Sequence, residues 1–131
     1  MPPSEVKFML YTEILNNNKD FTALYKKGKF TAGKHIVIYV RKNKLPFNRL
    51  GITAGKKIGN AVCRNRAKRI IRQAYRENET LFPIGTDIVI VARTAINGVK
   101  STVLSEYMKH GAVPFINRTL FSQQTQKGSD K

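Results

Sequence analysis

From Phe21 to Arg76 the chain runs for 56 residues with 16 lysines and arginines and not one aspartate or glutamate. No other feature restricts the fold so tightly. Like charges closer than a Debye length of ~8 Å repel one another in a compact state, and this stretch holds no carboxylate to neutralise them. Elsewhere eight basic and eight acidic residues cancel, so the whole formal net charge of +16 belongs to one continuous segment. A mixed-sign surface would serve solubility better. The crowding therefore points to a polyanionic partner, with nucleic acid first and an anionic membrane surface second.

The chain of 131 residues suits one domain. Its size lets it bury about two-thirds of its unfolded surface without a disulfide or metal staple. The lone Cys63 rules out an internal disulfide. Apolar runs reach about five residues, against the ~18 that a membrane span needs. The segment from Met1 to Leu10 carries Glu5 and Lys7 and no apolar core, so no signal peptide is expected. A cytoplasmic protein follows, in which Asn78-Glu79-Thr80 and Asn117-Arg118-Thr119 match the glycosylation pattern only by coincidence. One domain over residues 1–121, with a core at about 15–110, is expected, followed by a polar, disordered tail over 122–131.

Local signals give an α+β order. A helix opens near Asn18, which can cap it, and ends at Gly28. His35 to Arg41 and Asn48 to Ala54 read as strands, and Pro46 and Asn48 suit a hairpin-type connection between them. Asn60 to Asn78 is the strongest helix, with Asn60 as its cap. Asp87 to Arg93 is apolar without alternation, the mark of a strand buried on both faces. Lys100 to Lys109 is helical by pattern, Gly111 and Pro114 should break it, and a short helix over Phe115 to Phe121 can follow. This order predicts a mixed sheet covered by helices on one side.

On a helical wheel, Cys63, Ala67, Ile70, Ile71, Ala74 and Tyr75 share one arc. Asn65, Arg66, Lys68, Arg69, Arg72 and Arg76 fill the opposite one, while Arg64 falls inside the apolar arc and must snorkel. Arg64, Lys68, Arg72 and Arg76 stand four apart, where like charges oppose helix formation by a few tenths of a kcal/mol per pair. A bound phosphate backbone reverses that sign. Upstream, Gly51 and Gly55 are separated by three residues and Lys57 occupies the hydroxyl position, so the nucleotide-binding glycine loop fails on spacing and on its magnesium ligand. What remains is a lysine pair, Lys56 and Lys57, at a helix start.

Phe21, Tyr25 and Tyr39 stand beside this surface. They suit base stacking at ~1–3 kcal/mol each, but Phe21 and Tyr25 at helical spacing serve equally as core. The eight carboxylates are scattered and His35 and His110 sit in no motif, so no catalytic residue and no metal ligand is assigned to this chain. Binding is favoured over chemistry.

The run Asn48-Arg-Leu-Gly-Ile-Thr-Ala-Gly-Lys-Lys-Ile-Gly-Asn-Ala-Val-Cys-Arg-Asn-Arg-Ala-Lys-Arg-Ile-Ile-Arg72 resembles the protein subunit of bacterial ribonuclease P. Its signature stands here as Lys56, Lys57, Gly59, Asn60, Arg64, Asn65, Arg66, Lys68, Arg69 and Arg72; Asp20-Phe21, Tyr25, Gly28, Tyr39 and Ala92-Arg93 also fit. Gly55 replaces a usual serine, Asn16 to Asn18 replace residues often basic, and the part with Gly111 and Pro114 departs from the family's last helix. The resemblance implies a mixed sheet of about four strands with a left-handed βαβ crossover, similar to a ribosomal-protein domain. It also implies catalysis by a large RNA subunit with bound Mg2+, and a protein that grips the 5′ leader of precursor tRNA while the holoenzyme hydrolyses the phosphodiester at the mature 5′ end. By position, Phe21, Tyr25, Tyr39, Asn65, Lys68 and Arg72 would line the leader cleft. Lys56, Lys57, Asn60, Arg64, Arg66 and Arg69 would contact the catalytic RNA. The implied partners are that RNA and precursor tRNA, with no membrane and no small-molecule substrate. A ribosome-associated protein binding folded RNA by shape is the second reading, and a hydrolase acting alone the third.

Overall fold

The structure is a computed structural model that describes residues 10–121; the expected disordered tail lies outside them. Five strands form one mixed sheet: β1 Thr12–Ile14, β2 Lys29–Ala32, β3 Ile36–Lys42, β4 Asn48–Thr53 and β5 Thr86–Ala92, in the order β1-β4-β5-β3-β2. Helix α1 spans Asn18–Lys27, α2 Ala61–Asn78 and α3 Ser101–Tyr107. The mixed α+β class is as expected, with five strands rather than four. The first is a three-residue strand at Thr12–Ile14 and the second a four-residue strand just after Gly28, both too short to carry a periodic signal.

Two connections differ from the local reading. β3 and β4 are not a hairpin: β5 lies between them, antiparallel to β3 and parallel to β4. The turn signals at Pro46 and Asn48 mark a change of direction, and they cannot say which strand the chain meets next. β4, α2 and β5 thus form the βαβ unit. The cap of α1 is Asn17, not Asn18, its side chain accepting from the Lys19 N–H. Asn60 caps α2 as expected, accepting from the Cys63 N–H at 3.0 Å.

Helices cover both faces, not one. On one face, Ile36, Ile38 and Val40 of β3 and Ile88 and Ile90 of β5 pack against Ile71, Ala74 and Tyr75 of α2 and Leu104 of α3. On the other, Val89 packs with Leu24 of α1 and with Leu15, flanked by Phe21, Tyr39 and Val91. Central β5 is buried on both sides as its unbroken apolar run predicts. Gly111 and Pro114 do not end the last helix. After α3 the turns widen over Met108–Ala112, where the Val113 N–H donates to the Met108 carbonyl five residues back. Pro114, which has no N–H to donate, stands directly after these widened turns at the start of α4 (Val113–Ile116), and the chain stays helical to Phe121.

Glu79, read in the sequence as one more scattered acid, latches β1 to the end of α2. Its carboxylate is buried and accepts from the Leu10 N–H at 2.8 Å, the Tyr11 N–H at 3.0 Å and the Thr12 hydroxyl at 2.5 Å. The buried Tyr75 hydroxyl, 2.9 Å from Thr12 Oγ1, is pushed up to about 12 by burial and stays neutral. Glu79→Ala should therefore cost about 2 kcal/mol, because two N–H donors lose their acceptor. Hydrogen exchange checks it: the Asn48 N–H, which donates to the Tyr11 carbonyl, should exchange faster while β3 and β5 stay protected. An unchanged Asn48 amide would refute the latch.

Candidate nucleic-acid interface

Gly59, at φ +138°, turns the chain from the tight turn Lys56–Ile58 into α2, a backbone that side chains rarely adopt. The helix buries Ala67, Ile71, Ala74 and Tyr75 and leaves Asn65, Arg69 and Arg72 exposed, with Lys68 half-buried. Arg64 lies where the wheel puts it, along the apolar stripe: its Nε is covered by protein without a hydrogen-bond partner, while the residue as a whole stays half-buried. Two residues predicted to bind RNA also hold the fold together. Asn60 spends its side-chain oxygen on the cap, and Arg66 Nη2 donates to the Val99 carbonyl at 2.8 Å.

Across the sheet from β4, one rung of the face toward α1 carries the rings. Gly51 pairs with Val89, Val89 with Tyr39, and Tyr39 with Phe30, one residue from each of four neighbouring strands. Gly51 is required by close approach: a Cβ there would stand 2.3 Å from the Phe21 ring. The rings continue from that point. Phe21 and Tyr25 are stacked with centroids 6.4 Å apart, Tyr25 meets Tyr39 edge-on at 4.9 Å, and Phe30 meets Tyr39 at 5.6 Å. Phe21 is half-buried, whereas Tyr25 and Phe30 are 43% and 56% exposed, too open to serve only as core. At the β4 end, Phe21 and Gly51 share a groove of about 260 Å³ with Lys68 and Arg72.

The structure thus brings Phe21, Tyr25, Tyr39, Lys68 and Arg72 together. Asn65 is exposed one turn before Lys68, and the groove's lining does not include it. Lys56 and Lys57 line a separate groove of about 600 Å³ with Arg93 and Thr94. Phe30 was missed in the sequence. Its signal was faint: one aromatic in a strand too short to show alternation.

Not every cation of the basic segment is open to a ligand. The carboxylate of Asp87, fully buried, accepts from Arg49 Nη2 at 2.7 Å, Arg41 Nε at 2.9 Å and Asn43 Nδ2 at 2.9 Å. Burial alone would raise its pKa, but the hydrogen bonds from Arg49, Asn43 and Arg41 prevail and hold it below the usual carboxylate range. Asp20 sits 3.1 Å from Arg41 and 3.8 Å from Arg49. Asp20 and Asp87, from either side of the acid-free stretch, thus reach back and neutralise its strand arginines Arg41 and Arg49. Among the described residues no three His, Cys, Asp or Glu side chains gather as a metal site, and no helix is long and apolar enough to cross a membrane.

Residues 9–113 match the family model described as Ribonuclease P. The ribonuclease P protein component of Lachnoclostridium phytofermentans is 46% identical over 99 residues, covering 76% of this chain and 85% of that protein. That of Clostridioides difficile is 46% identical over 86 residues, 64% of this chain and 75% of the other. Among solved structures, the ribonuclease P protein of Thermotoga maritima superposes with a TM-score of 0.68 at 31% identity, covering 81% of this chain and 96% of that one. The Staphylococcus aureus protein gives 0.66 at 34% identity, over 74% and 89%.

Proposed function

The chain belongs to the ribonuclease P protein family and is on that ground a protein subunit of an endoribonuclease; from this premise we propose that it binds the catalytic RNA and holds the 5′ leader of precursor tRNA. The observation that carries this reading is the row of rings ending at Lys68 and Arg72 on the basic helix. Exposed rings stack on bases regardless of sequence, and the cations at the row's end meet the backbone. Tyr25, Tyr39 and the half-buried Phe21 offer the faces; Asn65, on the same side of α2, offers a neutral hydrogen-bonding group. Lys56, Lys57, Arg64 and Arg69 face the RNA subunit, with Asn60 and Arg66 shaping that surface as much as touching it.

The chain's part in the reaction is electrostatic and positional. Its cations screen repulsion between two RNAs, and leader contacts favour precursor over mature product. Mg2+ is placed with the RNA subunit, because among the described residues no three His, Cys, Asp or Glu side chains gather to hold it. Asp20 and Asp87 are engaged by Arg41 and Arg49, and Glu79 is committed to β1.

Cleavage of a labelled precursor tRNA at low Mg2+ tests the proposal in four arms: protein alone, a bacterial ribonuclease P RNA alone, both, and neither. Cleavage at the mature 5′ end with both, and little in the other arms, is expected. Cleavage by the protein alone would overturn the division of labour. Tight RNA binding with no stimulation would favour a ribosome-associated role.

A further inference from the structure

We propose that Phe30 is the outermost stacking position of this row, taking one single-stranded nucleotide beyond those held at Phe21, Tyr25 and Tyr39; the proposal rests on the leader-binding reading above. Phe30 is the β2 member of the rung that starts under Phe21 at Gly51 and passes through Val89 and Tyr39. Three strand spacings of ~4.8 Å put about 14 Å between the ends of that rung. At ~3.4 Å per stacked nucleotide, this is a track for about four bases. The Phe30 ring is tilted 34° to Tyr39 at 5.6 Å and is more than half exposed. It prolongs the aromatic surface while keeping an open side for another base.

A single exposed phenylalanine is ordinary on a protein surface. One in register with three strands of a continuous aromatic and apolar rung is placed to lengthen it. Lys26, in the last turn of α1, brings a cation to the same end of the row. The row also has a polarity. Its other end meets Lys68 and Arg72 on α2, the helix that carries Arg64 and Arg69 toward the catalytic RNA, so the cleavage site lies at that end. Phe30 therefore takes a nucleotide far from the scissile bond.

The test uses holoenzyme reconstituted with the RNA subunit and precursor tRNAs whose leaders lengthen one nucleotide at a time. With the wild-type protein, affinity should rise with leader length and then level off. With Phe30→Ala it should level off about one nucleotide sooner, leaving long leaders five- to tenfold weaker and short leaders and mature tRNA unchanged. Phe30→Tyr should behave as wild type and Phe30→Leu as the alanine variant. A Phe30→Leu protein that binds like wild type, or a Phe30→Ala loss equal at every length, overturns the stacking role. Tyr39→Ala, run in parallel, separates the two levels of the argument. If it abolishes the length dependence while Phe30→Ala changes nothing, only the outer position is wrong; if neither variant alters it, the leader cleft itself is wrong.

Discussion

Asp87→Ala should lower the stability of the free protein by about 3 kcal/mol, roughly 10 °C in melting temperature. The carboxylate is fully buried in the central strand, where three side chains donate to it. Removing it leaves Arg41 and Arg49 facing each other across β5 with only Asp20 between them. Both arginines keep about 30% of their side-chain surface exposed, so water recovers part of the loss and the lower end of the range for a broken buried pair applies. The pH dependence follows from the lowered pKa of Asp87. A carboxyl group with a folded pKa below its unfolded value of ~3.9 contributes fully above that value. The contribution is lost as pH falls from there through the folded pKa. Wild-type stability should thus fall steeply below about pH 4, and Asp87→Asn should show a shallower fall in calorimetric scans over that window. Equal slopes for the two proteins would remove Asp87 as the acid-sensitive group.

The double variant Lys68→Ala, Arg72→Ala should weaken precursor tRNA binding by about 2 kcal/mol, roughly thirtyfold, and mature tRNA binding little. If about six phosphates are engaged on single strands, the logarithm of wild-type affinity falls with the logarithm of salt at a slope near −4. Removing two cations should bring that slope to about −2.8. Folding should not suffer. Lys68 and Arg72 belong to a ladder of like charges four apart along α2, so their loss relieves repulsion. Equal losses for precursor and mature tRNA would falsify the assignment of these residues to the leader.

What was legible in the sequence divides along a physical line. Helix α2 could be read almost to the residue, because its cap, apolar stripe and basic face are all encoded within one segment. Central β5 was equally plain, since burial on both faces leaves an unbroken apolar run. The neighbours of each strand were not legible. Nothing local to Asn43 or Pro46 says that the next strand in space is one that lies beyond α2 in the chain. The same limit hid Glu79, whose role depends on backbone groups nearly seventy residues upstream, and Phe30, whose meaning comes from its partner in β3. The site shows the same split. Lys68 and Arg72 could be grouped from the wheel alone, but only the fold brings Phe21 of α1 into their groove.

The position of β5 between β3 and β4 also sets an order of assembly. During synthesis both of its neighbours and all of α2 emerge before the strand that joins them. Until Ala92 has been made, β3 and β4 have no shared partner, and the apolar stripe of α2 has half a sheet to rest on. The strand pairings that complete the core join residues 38 to 56 apart in the chain, so loop closure must precede most of the stabilisation. For that interval the segment carries all 16 of its cations without the finished sheet that fixes their arrangement. The basic stretch is thus exposed to its class of ligand before it has a shape with which to choose among them, and β5 turns a sticky chain into a selective one.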